Sequence, residues 1–277
     1  MDSKNKKTIL VPWDFTPAAE NALLHAVSLG KKFDNNVTLL HIADRGKSLS
    51  NNSKKIQETI AATNKLNELT RQYSEKCKIC INSIVIEGSI FTTIADVASQ
   101  LDVSLICMGT HGMKGMQKIT GSWAMKVISS TDIPFYVVQA PPSKQDIKNI
   151  IFPVDENKET AEKLTWGKFL TTKLDASIRI VKQHFEGGTK VSSNMAFVNK
   201  YLKNHEIEFD IYEPPKTKNF IDSMISYASK KEPCMILIMV KRGINITDYI
   251  MGLDEQKLIF NQYKIPVMCI NHGNKAK

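Results

Sequence analysis

The sequence predicts an α/β protein made of two tandem doubly wound units, each a five-stranded parallel sheet with helices on both faces. Two observations carry this. Short apolar runs alternate with amphipathic stretches at helical spacing, the pattern of buried parallel strands joined by right-handed helical crossovers. The chain also repeats itself. Thr8-Ile9-Leu10-Val11-Pro12-Trp13-Asp14 and Ile150-Ile151-Phe152-Pro153-Val154-Asp155 are both apolar runs closing on Pro-x-Asp. Ile133-Pro134-Phe135-Tyr136-Val137-Val138 is likewise answered by Ile265-Pro266-Val267-Met268-Cys269-Ile270. The first landmarks lie 141 residues apart (14 to 155) and the last 132 (134 to 266), so the second unit is shorter in its middle. Pro141-Pro142 and the polar residues after them suit a linker, giving units 1–142 and 143–277.

In the first unit, residues 8–13 form the first strand. Thr16 then offers a capping hydroxyl and Pro17 suits the first helical position. Ala19, Ala22, Leu23, Ala26 and Val27 continue at helical spacing. Residues 37–42 are the second strand. A long polar helix over 50–75 follows, with Ile56, Ile60 and Leu66 as its apolar stripe, and then a third strand over 79–86. Ile90, Ile94, Val97, Ala98 and Leu101 make the next helical face. A fourth strand (104–108), a helix (123–130) and a fifth strand (135–138) complete the unit. The second unit has strands over 150–154, 177–181, 208–212, 235–239 and 267–270, and its clearest helix carries Ile221, Met224, Ile225 and Ala228.

The composition is that of an ordinary globular protein: 277 residues, 42% hydrophobic and 23% charged, which excludes disorder, collagen and coiled coil. No apolar run is long enough for a membrane span or a secretory leader, so a cytoplasmic protein without membrane contact is expected. Five cysteines, an odd number, argue against a disulfide framework. The net charge of +9 comes from scattered lysines shared between the two units. It reads as a solvated basic surface and not as a nucleic-acid patch.

In doubly wound sheets, ligands bind beyond the carboxyl ends of the strands, where the winding reverses. Asp14, at the end of strand one, should meet there the segment after strand four. That segment, from Gly109 to Gly121, holds four of the chain's 13 glycines. Glycines let backbone N–H groups approach an anion closely. Gly121-Ser122 then opens a helix, whose terminal amides favour phosphate.

Gly109-x-x-Gly112, a spacer, then Gly121-Ser122, with Pro12-x-Asp14 closing strand one, resembles the nucleotide-binding motif of the universal stress protein family. The ending Ile133–Val138 also resembles that family's last strand. The resemblance covers the first unit well and the second in outline. It implies a tandem member with a Rossmann-like fold of the adenine nucleotide alpha hydrolase type and strand order 3-2-1-4-5. The implied ligand is ATP or a related adenine nucleotide, with or without Mg. Pro12 and Asp14 would lie at the nucleoside and His41 and Ile42 near the adenine. Gly109, Gly112, Gly121, Ser122 and Trp123 would hold ribose and phosphates. The spacer from Met113 to Thr120 is one residue shorter than the family's usual, so a tighter phosphate loop is expected. In the second unit the counterparts of Gly109 and Ser122 are Val240 and Leu253, so that site is expected to be degenerate.

Each of these residues has a plainer reading. Asp14 can be a turn residue before a helix, Gly109 and Gly112 strand-to-loop glycines, and His111 a polar loop residue. Gly46-Lys47-Ser48 lacks the first glycine of a P-loop. Cys77-Lys78-Ile79-Cys80 has no partner pair and reads as inert thiols, and Cys107, Cys234 and Cys269 read as core. Three functions stay open: a nucleotide-binding stress regulator, a scaffold for protein partners without nucleotide, and, ranked last, an enzyme with weak ATP hydrolysis. The resemblance further implies pairing of the two units through their fifth strands as an intramolecular pseudo-dimer. A homodimer of whole chains is left open.

Overall fold

The computed structural model describes residues 6–44, 52–110, 121–155, 161–184, 189–240 and 253–271. The first half runs β1 (Thr8–Pro12), α1 (Pro17–Phe33), β2 (Asn36–Asp44), α2 (Asn52–Cys77), β3 (Ile81–Gly88), α3 (Ile90–Gln100), β4 (Val103–Gly109), α4 (Gly121–Ile128) and β5 (Phe135–Val138). The second half runs β6 (Asn149–Val154), α5 (Ala161–Leu174), β7 (Ser177–Lys182), α6 (Thr189–Asn204), β8 (Phe209–Tyr212), α7 (Phe220–Ala228), β9 (Cys234–Val240), α8 (Leu253–Ile259) and β10 (Val267–Asn271). All ten strands share one sheet, ordered β3-β2-β1-β4-β5-β10-β9-β6-β7-β8. Each half is therefore a parallel 3-2-1-4-5 sheet, and the halves join where β5 pairs antiparallel with β10.

Local chemistry sets α1. Thr16 is extended and its hydroxyl accepts from Ala19 N at 3.3 Å, Pro17 begins the helix, and Asp34 closes it in the left-handed region at φ 60°. Asp175 closes α5 in the same way at φ 51°, so the 141-residue offset holds through the first crossover. The helices cover two cores, α1, α2, α5 and α6 on one face and α3, α4, α7 and α8 on the other. Cys107, Cys234 and Cys269 are buried strand residues, as expected.

One expectation fails. Leu66 is fully buried, but Ile56 and Ile60 are 59% and 53% exposed. Helix α2 has 26 residues and is about 39 Å long, whereas the eight-residue strand β3 beneath it spans roughly 27 Å. The first turns of the apolar stripe have no sheet to cover.

The seam between the halves is built reciprocally. Gln139, just after β5, donates Nε2 to the carbonyls of Ile259 and Asn261 at 3.0 and 3.2 Å. Asn271, the matching residue 132 positions later, donates Nδ2 to Ile128 O at 2.8 Å and to Thr131 O. An amide at or just after the end of each fifth strand thus hydrogen-bonds the end of a helix of the other half. Phe33 and Phe169 pack α1 on α5, with ring centroids 5.0 Å apart.

His25 is buried in this seam, its Nε2 donating to Ala140 O at 3.1 Å and its ring edge-on to Tyr136. Burial pushes its pKa down to about 4, only partly offset by the carbonyl. The unfolded chain takes up a proton near pH 6.5 that the folded chain refuses until about pH 4. This contribution is present above pH 6.5 and is lost as pH falls through that window. Between pH 7 and 4.5, wild type should lose about 2–3 kcal/mol more unfolding free energy than His25→Phe, read by urea titration. Equal losses would show that His25 is not held neutral.

Candidate functional site

A cleft of about 850 Å³ opens beyond the carboxyl ends of the first-half strands. It lies where β1 has β2 on one side and β4 on the other, at the reversal of winding. Pro12, Asp14, His41, Ile42 and Gly109 all line it. Gly112 lies outside the described residues. Gly121, Ser122 and Trp123 form the first turn of α4, as the glycine-serine pair suggested, and their side chains lie outside the described residues. His111 and the lysines at 114 and 118 also lie outside them.

The turn after β1 is tightly determined. Trp13 N donates to Leu40 O at 2.8 Å, and His41 Nδ1 is 2.8 Å from Trp13 O, tying the ends of β1 and β2 together. Phe15 sits at φ 61°, which is unusual for an aromatic residue and typical of sites whose geometry is enforced by their surroundings. Its ring meets Trp13 and His41 edge-on at 6.1 and 5.0 Å, and Lys65 Nζ lies over it at 4.4 Å. Asp14 Oδ1 accepts from Thr16 N at 3.1 Å and from Thr16 Oγ1 at 2.5 Å. Asp14 therefore does serve the turn that starts α1. Its second carboxylate oxygen has no partner among the described residues.

Gly109 has a structural requirement that sequence reasoning did not supply. A Cβ there would fall 1.9 Å from Ala18 O and 2.4 Å from its carbonyl carbon. The glycine lets the first turn of α1 lie directly on β4, which brings Asp14 and β4 to one cleft. Sequence reasoning also missed the far wall, made by Gly88, Ser89, Thr93 and Asp96. Ser89 caps α3 through Phe91 N at 3.4 Å, and a Cβ at Gly88 would meet Thr93 Oγ1 at 2.0 Å. Gly88-Ser89 at the close of a strand was the available signal. Cys77 and Cys80 do not line this cleft and carry no disulfide.

The second half differs at the matching place. Val240 is buried at the end of β9, Leu253 opens α8, and Gly243 and Gly252 lie outside the described residues. At the position of Ala22, 141 residues later, stands Lys163, only 4% exposed. It donates to Pro153 O at the end of β6 and lies 4.2 Å over the Phe152 ring. The carbonyl and the ring are two of the partners of this buried cation.

Fold and cleft define a tandem doubly wound α/β protein with a ligand-sized opening at one switch point. Comparison with known proteins agrees. Residues 6–139 match the model of the universal stress protein family. One universal stress protein of Methanocaldococcus jannaschii is 27% identical over 141 residues, 49% of this chain and 83% of that protein. A second from the same organism is 28% identical over 153 residues, 48% of this chain and 94% of that protein. Over nearly the whole chain, the fold matches the crystal structure of a universal stress protein from Archaeoglobus fulgidus. The TM-score is 0.80 at 18% identity, with 97% of this chain and 100% of that one covered. Residues 6–139 belong to the universal stress protein family, and the whole chain has the fold of a universal stress protein. Among the described residues no helix is long and apolar enough to cross a membrane.

Proposed function

We propose that the first half binds ATP or a related adenine nucleotide in the cleft at the β1/β4 switch point, and that the protein acts as a nucleotide-responsive regulator in stress. The observation that carries this is the convergence of Pro12, Asp14, His41, Ile42 and Gly109 on one opening of about 850 Å³, within the roughly 300–1,000 Å³ of small-molecule sites. In this reading the second carboxylate oxygen of Asp14 accepts from ribose hydroxyls. The base lies against His41 and Ile42, and the phosphates meet Gly112 and the amides at the start of α4, with Gly121, Ser122 and Trp123 in its first turn. Mg, where present, would be bound with the nucleotide's phosphates. The second half is degenerate in this reading. Val240 crowds the ribose position, Leu253 lacks the serine hydroxyl, and Lys163 stands buried against the end of β6. The domain units are 1–142, with the competent site, and 143–277.

Asp14→Asn tests the nucleoside contact. The amide oxygen can still accept from Thr16, so the melting temperature should hold. The charged acceptor toward ribose is lost, which is worth about 1.5–3 kcal/mol, or roughly tenfold or more in ATP affinity by calorimetry. Unchanged affinity with a lowered melting temperature would reduce Asp14 to a turn residue.

A further inference from the structure

Strand β3 ends the sheet on the side of the first half, with β2 on its inner side and no strand of the described residues on its outer side. The β2–β3 register sets the direction of each backbone group. Val37 lies opposite Ile81 and donates its N–H to Cys80 O, so Cys80, Asn82, Ile84 and Ile86 turn their backbone groups toward β2. Ile81, Ser83, Val85 and Glu87 turn theirs outward. Ser74 Oγ accepts from Ile81 N at 3.1 Å, as that phase requires, and covers the outward donor of this residue. Ser83, Val85 and Glu87 each present an N–H and a C=O to the outside.

Such an edge pairs with other chains unless charge, proline or brevity blocks it. The two ends of the sheet differ in this respect. At the far end, β8 has four residues, carries Asp210 and runs between Glu208 and Glu213-Pro214-Pro215. Strand β3 has eight residues, and from Ile81 to Ile86 it holds neither a charge nor a proline. Ile84 and Ile86 are only partly buried, against the α3 face. On the other face Ser83 donates to Asn67 Oδ1 at 2.7 Å, so the Asn67 side of α2 lies over this edge. Ile60 stands about two helical turns before Asn67 on that same side, and Ile56 about one turn before Ile60. Both are exposed, so apolar surface flanks the open edge.

We propose that β3 is a homodimerisation edge, on which the β3 of a second copy pairs antiparallel about a two-fold axis at Val85. In that register Val85 meets Val85 of the partner and Ser83 meets Glu87 of the partner, each pair exchanging two N–H···O bonds. Between them Ile84 falls opposite Ile86 of the partner, in the closer pairs where side chains touch. An axis at Ile84 would call on Ile81, whose N–H Ser74 already holds. The occupant is a second copy because this one strand supplies both sides of the match, and a two-fold pair closes on itself. Pairing of β3 with the blocked edge β8 would instead run on as an open fibre.

Sedimentation equilibrium of the intact protein across the micromolar range tests this. Wild type should reach twice the chain mass. Ser83→Pro removes one outward donor per copy without breaking the β2 ladder. Its circular dichroism should stay that of wild type while the dimer dissociation constant rises roughly tenfold or more. Ile60→Lys, at an exposed position, should also weaken the dimer, and it serves if the proline variant fails to fold. Ile211→Pro, whose N–H likewise faces outward on β8, should leave the dimer unchanged. A monomer throughout, a dimer indifferent to both Ser83→Pro and Ile60→Lys, or a dimer lost on Ile211→Pro would overturn the proposal.

Discussion

Gly109→Ala should lower the melting temperature by roughly 2–12 °C and weaken ATP binding together, although it adds a single methyl group. The added Cβ would lie 1.9 Å from Ala18 O, a backbone atom in the first turn of α1 that cannot rotate aside. Helix and strand must separate. Overpacking of this kind costs about 1–3 kcal/mol, and each kcal/mol moves the midpoint by about 2–4 °C in a chain of this size. The displaced turn carries Asp14, so the cleft opens as the packing fails. Calorimetric melting of Gly109→Ala beside wild type checks this. A wild-type midpoint would mean that α1 is not seated on β4 as described.

The other large effect is expected at the seam. Val137 is 1% exposed and lies opposite Met108 of β4 on one side and Val267 of β10 on the other. A proline there has no N–H for either ladder and sets a ring against a neighbouring strand, at a cost of about 3 kcal/mol or more. Val137→Pro should melt well below wild type, and where it remains folded, X-ray scattering should give a larger radius of gyration as the halves part. Ile211→Pro, on the exposed edge strand β8, should cost less. A compact Val137→Pro protein of wild-type stability would mean that β5 and β10 do not hold the halves together.

The seam was legible because both fifth strands are apolar at a position that is an edge in the isolated unit. Phe135–Val138 and Val267–Asn271 are buried throughout. Strand identities were legible because buried parallel strands are continuous apolar runs, and the repeat landmarks placed them twice. Ile56 and Ile60 misled because helical spacing reports a stripe and not what lies beneath it, and α2 outruns its strand. Gly109 was legible as a glycine of the loop motif but not as a packing residue, because its need arises from Ala18, ninety-one positions away (18 to 109). The far wall of the cleft was missed for a related reason. Thr93 and Asp96 lie on α3, and the chain order does not state which residues of that helix face the cleft. Lys163 escaped notice because one lysine among so many carries no signal until its burial is known.

The central claim is a single nucleotide site per chain, in the first half. Calorimetric titration of the intact protein with ATP and Mg tests it most directly, run beside Gly121→Val and the matched Gly252→Val. A side chain at Gly121 would intrude where the phosphates meet the start of α4. The expected result is one equivalent bound, strongly weakened by Gly121→Val and nearly unchanged by Gly252→Val. Two equivalents per chain, no measurable binding, or equal losses in the two variants would contradict it.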